Sequence, residues 1–234
     1  MTISVDEEMP GGPMTNRPVH FFWLLDQSSS MGGSKITQLN WAIREALPDM
    51  QAAARSNPAA KLMVRALTFG SGARWHDKQA VEASAYTWSD VRANGSTDMG
   101  AAFKLVAAEL TALQMPQRAL RPVLALVSDG QPTDDWRSGL RMIDSSSWGQ
   151  RAVRVAIAIG NDADTAMLKV FLNNAEDEPL KVHDAAQLAA AIRWASTMAV
   201  RAASHATGAG TPGSSPLAGT AVLPPVSAGD VDVW

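Results

Sequence analysis

Residues 19–33 read VHFFWLLDQSSSMGG, and this stretch decides the fold class. Residues 19–25 are a short, nearly continuous apolar run, the pattern of a strand covered on both faces. The run stops at an acid, an amide and three serines. In an extended segment alternate side chains share a face, so Asp26, Ser28 and Ser30 are expected to point together into one cleft. Downstream, Ile36, Leu39, Ile43, Leu47 and Met50 recur at helical spacing, and that helix is expected to end before Pro58.

The same rhythm continues along the chain. Residues 62–69 (LMVRALTF) predict a second strand stopped by Gly70, and residues 74–88 hold one or two short edge strands. Asp98 is placed to cap a helix carrying Phe103, Val106, Leu110 and Leu113. Residues 123–127 (VLALV) predict a strand, 134–145 a helix, 153–159 (VRVAIAI) a strand, 164–172 a short helix and 180–182 a last strand. Asp184 then caps a final helix with Leu188, Ile192, Ala195 and Met198 on one face. Apolar strands alternating with amphipathic helices predict an α/β fold: a doubly wound, mostly parallel, Rossmann-like sheet flanked by helices. Such sheets gather ligands outside the carboxyl ends of their strands, where the strand order reverses.

Composition narrows the classes. The 234 residues correspond to about 1.6 average domains, hence one domain with extra segments or two small ones. Twenty basic and 23 acidic side chains leave a net charge of −3, no basis for a general nucleic-acid binder. Cysteine is absent, which excludes disulfides, thiol catalysis and thiolate metal sites. No run approaches the roughly 20 apolar residues of a membrane span, and the acidic N-terminus has no apolar signal core. The expectation is a cytoplasmic protein that engages no membrane. Residues 1–17, rich in Pro and Gly, predict a flexible arm, and residues 18–201 the domain. Residues 202–234 lack Lys and Arg, are mostly Ala, Gly, Ser, Thr and Pro, and predict a disordered tail. Its last five residues, DVDVW (230–234), break that pattern and form a candidate docking motif for another protein.

Three predicted strand or loop ends carry oxygen-bearing side chains. Asp26, Ser28 and Ser30 follow the first strand, Ser128-Asp129-Gly130 follows the VLALV strand, and Asn94-Gly95-Ser96-Thr97-Asp98 leads into a helix. Any one of these is ordinarily a turn or a cap. Three in order, each at a terminus, favour a site. Two carboxylates with several hydroxyls suit a hard divalent cation, Mg²⁺ first with Ca²⁺ or Mn²⁺ as alternatives, and suit zinc poorly. Neutral hydroxyl ligands leave the ion electrophilic, able to accept a further, negatively charged oxygen from outside.

Asp26-x-Ser28-x-Ser30, Thr97 in Gly-Ser-Thr-Asp and Asp129 in Ser-Asp-Gly together resemble the metal-ion-dependent adhesion site of von Willebrand factor A domains. More narrowly, RPVHFFWLLDQSSSM, LTFGSGARW, STDMGAAF, PVLALVSDGQPTDDW and VRVAIAIGNDAD resemble the TerY-type proteins of bacterial tellurium-resistance and stress systems. The resemblance covers residues 17–201. It implies that Ser28 and Ser30 contact the metal directly, that Thr97 does so directly or through water, and that Asp26 and Asp129 act through water or by holding the hydroxyls. It implies further that the open position takes a Glu or Asp carboxylate from a partner protein. Proteins of this type lie beside a protein kinase and a metal-dependent serine/threonine phosphatase, which implies a non-enzymatic adaptor in phosphorylation-linked signalling. Ser29 stands where the family usually has Gly, and it strains the loop if its backbone needs a positive φ.

Other residues read as structure. Residues 131–135 (QPTDD) begin a helix with Thr133 or Asp134 as its cap, the alternative being a supporting role beside the cleft, since this loop lies on the same rim as Asp129. His20, His76, His183 and His205 show no ligand spacing, and none is assigned a catalytic role. Gly32-Gly33-Ser34-Lys35 fails the spacing of a phosphate loop. Trp23 and Trp41 are expected in or near the core, while Trp75, Trp88, Trp136 and Trp148 sit in or near loops. Three functions compete: a metal-dependent protein-binding module, a Mg²⁺-dependent hydrolase or phosphotransferase, and a scaffold whose metal is structural. The second needs a base or nucleophile beside the metal. Asp129 is a candidate for it, and no second convergent group such as a motif-embedded Lys or His accompanies it.

Overall fold

The computed structural model describes residues 17–57, 60–111, 114–161 and 163–205. The tail beyond His205 with residues 230–234, the arm up to residue 16, and Leu113 lie outside the described residues, as does the Met198 side chain. The elements in chain order are β1 (Arg17–Asp26), α1 (Ser34–Ser56), β2 (Ala60–Gly70), β3 (Gly72–Trp75), β4 (Val81–Glu82), α2 (Met99–Glu109) and β5 (Val123–Ser128). They continue as α3 (Trp136–Ser145), α4 (Ser147–Arg151), β6 (Val153–Ile159), α5 (Thr165–Leu172), β7 (Leu180–Val182) and α6 (Ala185–His205).

The strands form one sheet in the order β3-β2-β1-β5-β6-β7, with β4 pairing β2 beside β3. From β2 to β7 all pairings are parallel, and the two short strands of the 74–88 region run antiparallel along the edge of β2. The doubly wound α/β class read from the sequence is thus the observed one. Phe21, Trp23 and Leu25, with Val123, Ala125 and Val127, pack against α1 and α6 through Leu39, Ile43, Leu188 and Ile192. Phe22, Leu24, Leu124 and Leu126 pack on the opposite face against Phe103 and Val106 of α2, Leu140 of α3 and Phe171 of α5. Both faces of the central strands are dry, which is why their sequences are apolar without alternation.

Some details differ from expectation. α3 starts at Trp136 rather than at residue 134, because Asp134 and Asp135 are both used as caps. The short α4 was not foreseen: Ser146 caps it by accepting from the Gly149 N–H at 2.8 Å, and it buries Trp148. Trp41, expected in or near the core, is 39% exposed, because the apolar stripe of α1 centres on Leu39, Ile43 and Leu47 and leaves position 41 on the outer side.

Candidate metal centre

β1 and β5 are neighbours in parallel register, Leu25 opposite Val127, so Asp26 and Ser128 reach the carboxyl edge together. The chain order reverses here: β2 lies on one side of β1 and β5 on the other. This is the position at which α/β sheets bind ligands. Asp26 is fully buried; its Oδ2 accepts from Ser128 Oγ at 2.6 Å and its Oδ1 from the Ser28 N–H at 2.8 Å. Burial pushes the Asp26 carboxyl above its ordinary range and the charge of Asp129 adds to this, while the bonds from Ser128 and Ser28 oppose it. Ser128 Oγ also accepts from the Gly130 N–H at 2.8 Å, so this hydroxyl ties the two strand ends together.

Asp129 is equally withdrawn from solvent, at 2% exposure. Its Oδ2 lies 3.4 Å from Lys35 Nζ, and its Oδ1 is buried without a hydrogen-bond donor. The carbonyl of Asp129 accepts from the Asp164 N–H at 2.7 Å. Gly130 turns away with φ 79°, and a Cβ there would stand 2.6 Å from the Asp164 carbonyl oxygen, so only glycine fits.

After Asp26 the chain does not stay extended. Residues Ser29–Met31 make a single 3₁₀ turn, with the Met31 N–H donating to the Ser28 carbonyl at 3.0 Å and the Met31 side chain buried. This turn brings Ser30 Oγ to 2.9 Å from Ser28 Oγ. The two hydroxyls do meet, but through a tight turn and not through the strand alternation expected from the sequence. Ser29 has no positive φ, since Asn173 is the one non-glycine residue with that conformation among the described residues. The strain expected of a serine at this position is therefore absent.

The third segment docks by its backbone. The Ser29 N–H donates to the Gly95 carbonyl at 2.9 Å, and the Asn94 N–H to the Gln27 carbonyl at 2.6 Å. Gly95 has φ 86°, and a Cβ on it would fall 2.6 Å from the Ser71 nitrogen. Thr97 is 5% exposed and held on both sides by Thr133: its N–H donates to Thr133 Oγ1 at 3.0 Å, and its carbonyl accepts from the Thr133 N–H at 2.9 Å. Asp26, Ser28 and Ser30 are thus linked by hydrogen bonds, Asp129 follows Ser128, which bonds Asp26, and the loop that carries Thr97 docks on Gln27 and Ser29 through Asn94 and Gly95.

Two capping expectations are corrected. Asp98 does not cap α2 with its side chain; it accepts from the Gly72 N–H at 2.7 Å, from Ser96 Oγ at 2.9 Å and from Thr133 Oγ1 at 3.2 Å, which lowers its pKa. The first amides of α2, Gly100 and Ala101, donate instead to Asp134 Oδ1 and Oδ2 at 2.8 and 2.9 Å. Asp135, rather than Thr133 or Asp134, caps α3 by accepting from the Ser138 N–H at 3.1 Å. Sequence reasoning missed Lys35 as a neighbour of the site, whereas Thr133 and Asp134, read first as a helix start, were placed on the same rim as a second reading.

The donors present are carboxylate and hydroxyl oxygens, and one buried carboxylate oxygen lacks a partner; this fits a hard divalent cation. Among the described residues no group of three His, Asp or Glu side chains is placed to hold a metal. The candidate is therefore a mixed carboxylate–hydroxyl set of low charge.

No family profile matches the sequence. No curated protein matches it either. Solved structures do. A von Willebrand factor type A protein from Catenulispora acidiphila superposes with TM-score 0.61 and 16% identity over 79% of this chain and 43% of its own. The pilus adhesin SpaC from Lactobacillus rhamnosus GG, in its open conformation, gives 0.63 and 13% over 80% of this chain and 30% of its own. The manganese-loaded TRAP protein of Plasmodium vivax gives 0.54 and 19% over 77% and 74%. This chain spans less than half the length of the first two. The chain carries the von Willebrand factor A fold. Among the described residues no helix is long and apolar enough to cross a membrane.

Proposed function

We propose that this protein is a divalent-cation-dependent, protein-binding adaptor. Asp26, Ser28, Ser30, Thr97 and Asp129 would hold the ion, Mg²⁺ in the first place and Ca²⁺ or Mn²⁺ as alternatives. The observation that carries this reading is the arrival of Asp26 and Asp129 on adjacent strand ends at the reversal point of the sheet, joined through Ser128, with the touching hydroxyls of Ser28 and Ser30 following Asp26 and Asp129 Oδ1 left without a donor. A bound ion would supply Lewis acidity toward a partner's Glu or Asp carboxylate. The chain's own part is positional. Ser128 and the Ser28 amide hold Asp26 in place, the 3₁₀ turn sets the two hydroxyls side by side, and Thr133 fixes Thr97. The manganese carried by the similarly folded TRAP protein supports the choice of a divalent cation.

The finer role follows from the TerY-type motifs. The adaptor would act in a bacterial stress or tellurium-resistance-type signalling system, in the cytoplasm, with a protein kinase and a metal-dependent serine/threonine phosphatase among its partners. Binding rather than turnover is its proposed task. Titration calorimetry with Mg²⁺, Ca²⁺ and Mn²⁺ tests the centre. Wild type should bind one ion, while Asp26→Ala, and Ser28→Ala with Ser30→Ala, should keep the circular dichroism of the fold and lose the binding. Equal binding by the variants overturns the reading. Retention of a host protein only when the metal is present, abolished by chelator, tests the adaptor role. Metal-dependent phosphate release by the purified chain, lost in Asp26→Ala, would favour the hydrolase alternative.

A further inference from the structure

Gly32-Gly33-Ser34-Lys35 is no phosphate loop, yet it has a definite place in the fold. Gly33, with φ 75°, redirects the chain from the 3₁₀ turn into α1, and Lys35 is the second residue of that helix. Its ammonium stands 3.4 Å from Asp129 Oδ2, with the Lys35 side chain 18% exposed and the Asp129 side chain 3%. A pair this withdrawn from water is screened little by salt. The pocket holds two carboxylates, from Asp26 and Asp129, and Lys35 brings a positive charge onto one of them. Resting on the metal-centre reading above, we infer that Lys35 is a built-in counter-cation: its ammonium and a divalent ion compete for the charge of Asp129, so Lys35 stabilises the metal-free pocket and weakens its hold on metal.

The consequence is a centre tuned to fill only above a threshold of free cation. With Lys35 in place, the metal-free protein keeps its loops together, because the Asp26 and Asp129 charges are partly compensated. When an ion arrives it meets a like charge a few ångströms away and binds less tightly than the same oxygens would allow alone. Asp129 Oδ1, which Lys35 does not engage, remains available to the ion.

The test uses the full chain, with Lys35→Met to remove the charge at similar length and Lys35→Arg to retain it. Calorimetry with Mn²⁺ and with Mg²⁺ should show Lys35→Met binding about tenfold more tightly than wild type, and Lys35→Arg close to wild type. In chelator Lys35→Met should melt below wild type, and saturating Mn²⁺ should close or invert that gap. Binding by Lys35→Met alone would also support the inference. Unchanged or weaker binding by Lys35→Met, with wild type still binding, overturns it and leaves the metal centre standing. An equal melting deficit with and without Mn²⁺ also overturns it, since packing of the lysine stem would then explain the loss. If neither protein binds either ion, the metal centre falls and this inference with it.

Discussion

Arg154 shows how one residue departs from its local pattern for a tertiary reason. It interrupts the apolar run VRVAIAI of β6 and is buried at 4% exposure. Its guanidinium donates to Asp144 Oδ1 at 2.6 Å, to the Gly149 carbonyl at 3.1 Å and to the Phe171 carbonyl at 3.2 Å. One side chain thereby joins the ends of α3, α4 and α5. Asn40 does similar work across the sheet's other face: Nδ2 donates to the Val91 carbonyl at 2.8 Å, while Oδ1 accepts from the Val91 N–H at 2.9 Å and from Trp88 Nε1 at 3.1 Å. Removing Arg154 leaves two buried carbonyls and a cavity, so Arg154→Ala should lower unfolding free energy by about 3 kcal/mol in urea titrations. A loss below about 1 kcal/mol would show that water replaces it readily.

At the scale of elements, the helices around the site are fastened from outside themselves. The N-terminus of α2 is capped by Asp134 from the loop after β5, and the same loop grips Thr97 through Thr133. Asp134→Ala should therefore cost about 1 kcal/mol of stability. It should also speed hydrogen exchange at Gly100 and Ala101 ahead of the rest of α2, while Asp134→Asn should retain much of the protection. Uniform exchange along α2 in the alanine variant would contradict this coupling. Apart from α4, the elements themselves were legible in the text, because strand and helix periodicities differ and β1, β5 and β6 are largely apolar. The capping was not: Asp98 precedes α2 and looks like its cap, but Gly72, Ser96 and Thr133 claim its oxygens. Such a competition is settled by which loops arrive nearby, and a single segment carries no record of that.

For the molecule as a whole, His20 links fold stability to pH. It lies on β1, stacked on Phe22 with ring centroids 5.8 Å apart, and both ring nitrogens are buried without hydrogen-bond partners. Burial lowers its pKa below the ordinary 6.5, and the charge of Glu109, itself paired with Arg65 at 3.0 Å, opposes this only in part. Below pH 6.5 the unfolded chain takes up a proton that the folded one still refuses, so stability is full above that value and declines toward the lowered folded pKa. The melting temperature should therefore drop between pH 7.5 and about 5.5, and His20→Phe should flatten that drop. An identical decline in the variant would assign the effect to other groups.

Local pattern determined much of this protein. Apolar runs ending in Asp, Ser and Gly announce buried parallel strands with polar carboxyl ends, and that alone yields the sheet class and brings Asp26, Ser28, Ser30 and Asp129 under suspicion. Tertiary structure decided what those residues touch. The 3₁₀ turn joins the two serine hydroxyls, Ser128 crosses from β5 to hold Asp26, and Lys35 reaches Asp129 from a position 94 residues away in the chain. The physical reason is that periodicity reports which face of an element is dry, a local quantity. The partner of a buried charge is set by chain segments distant in sequence, which become neighbours only when the sheet is assembled.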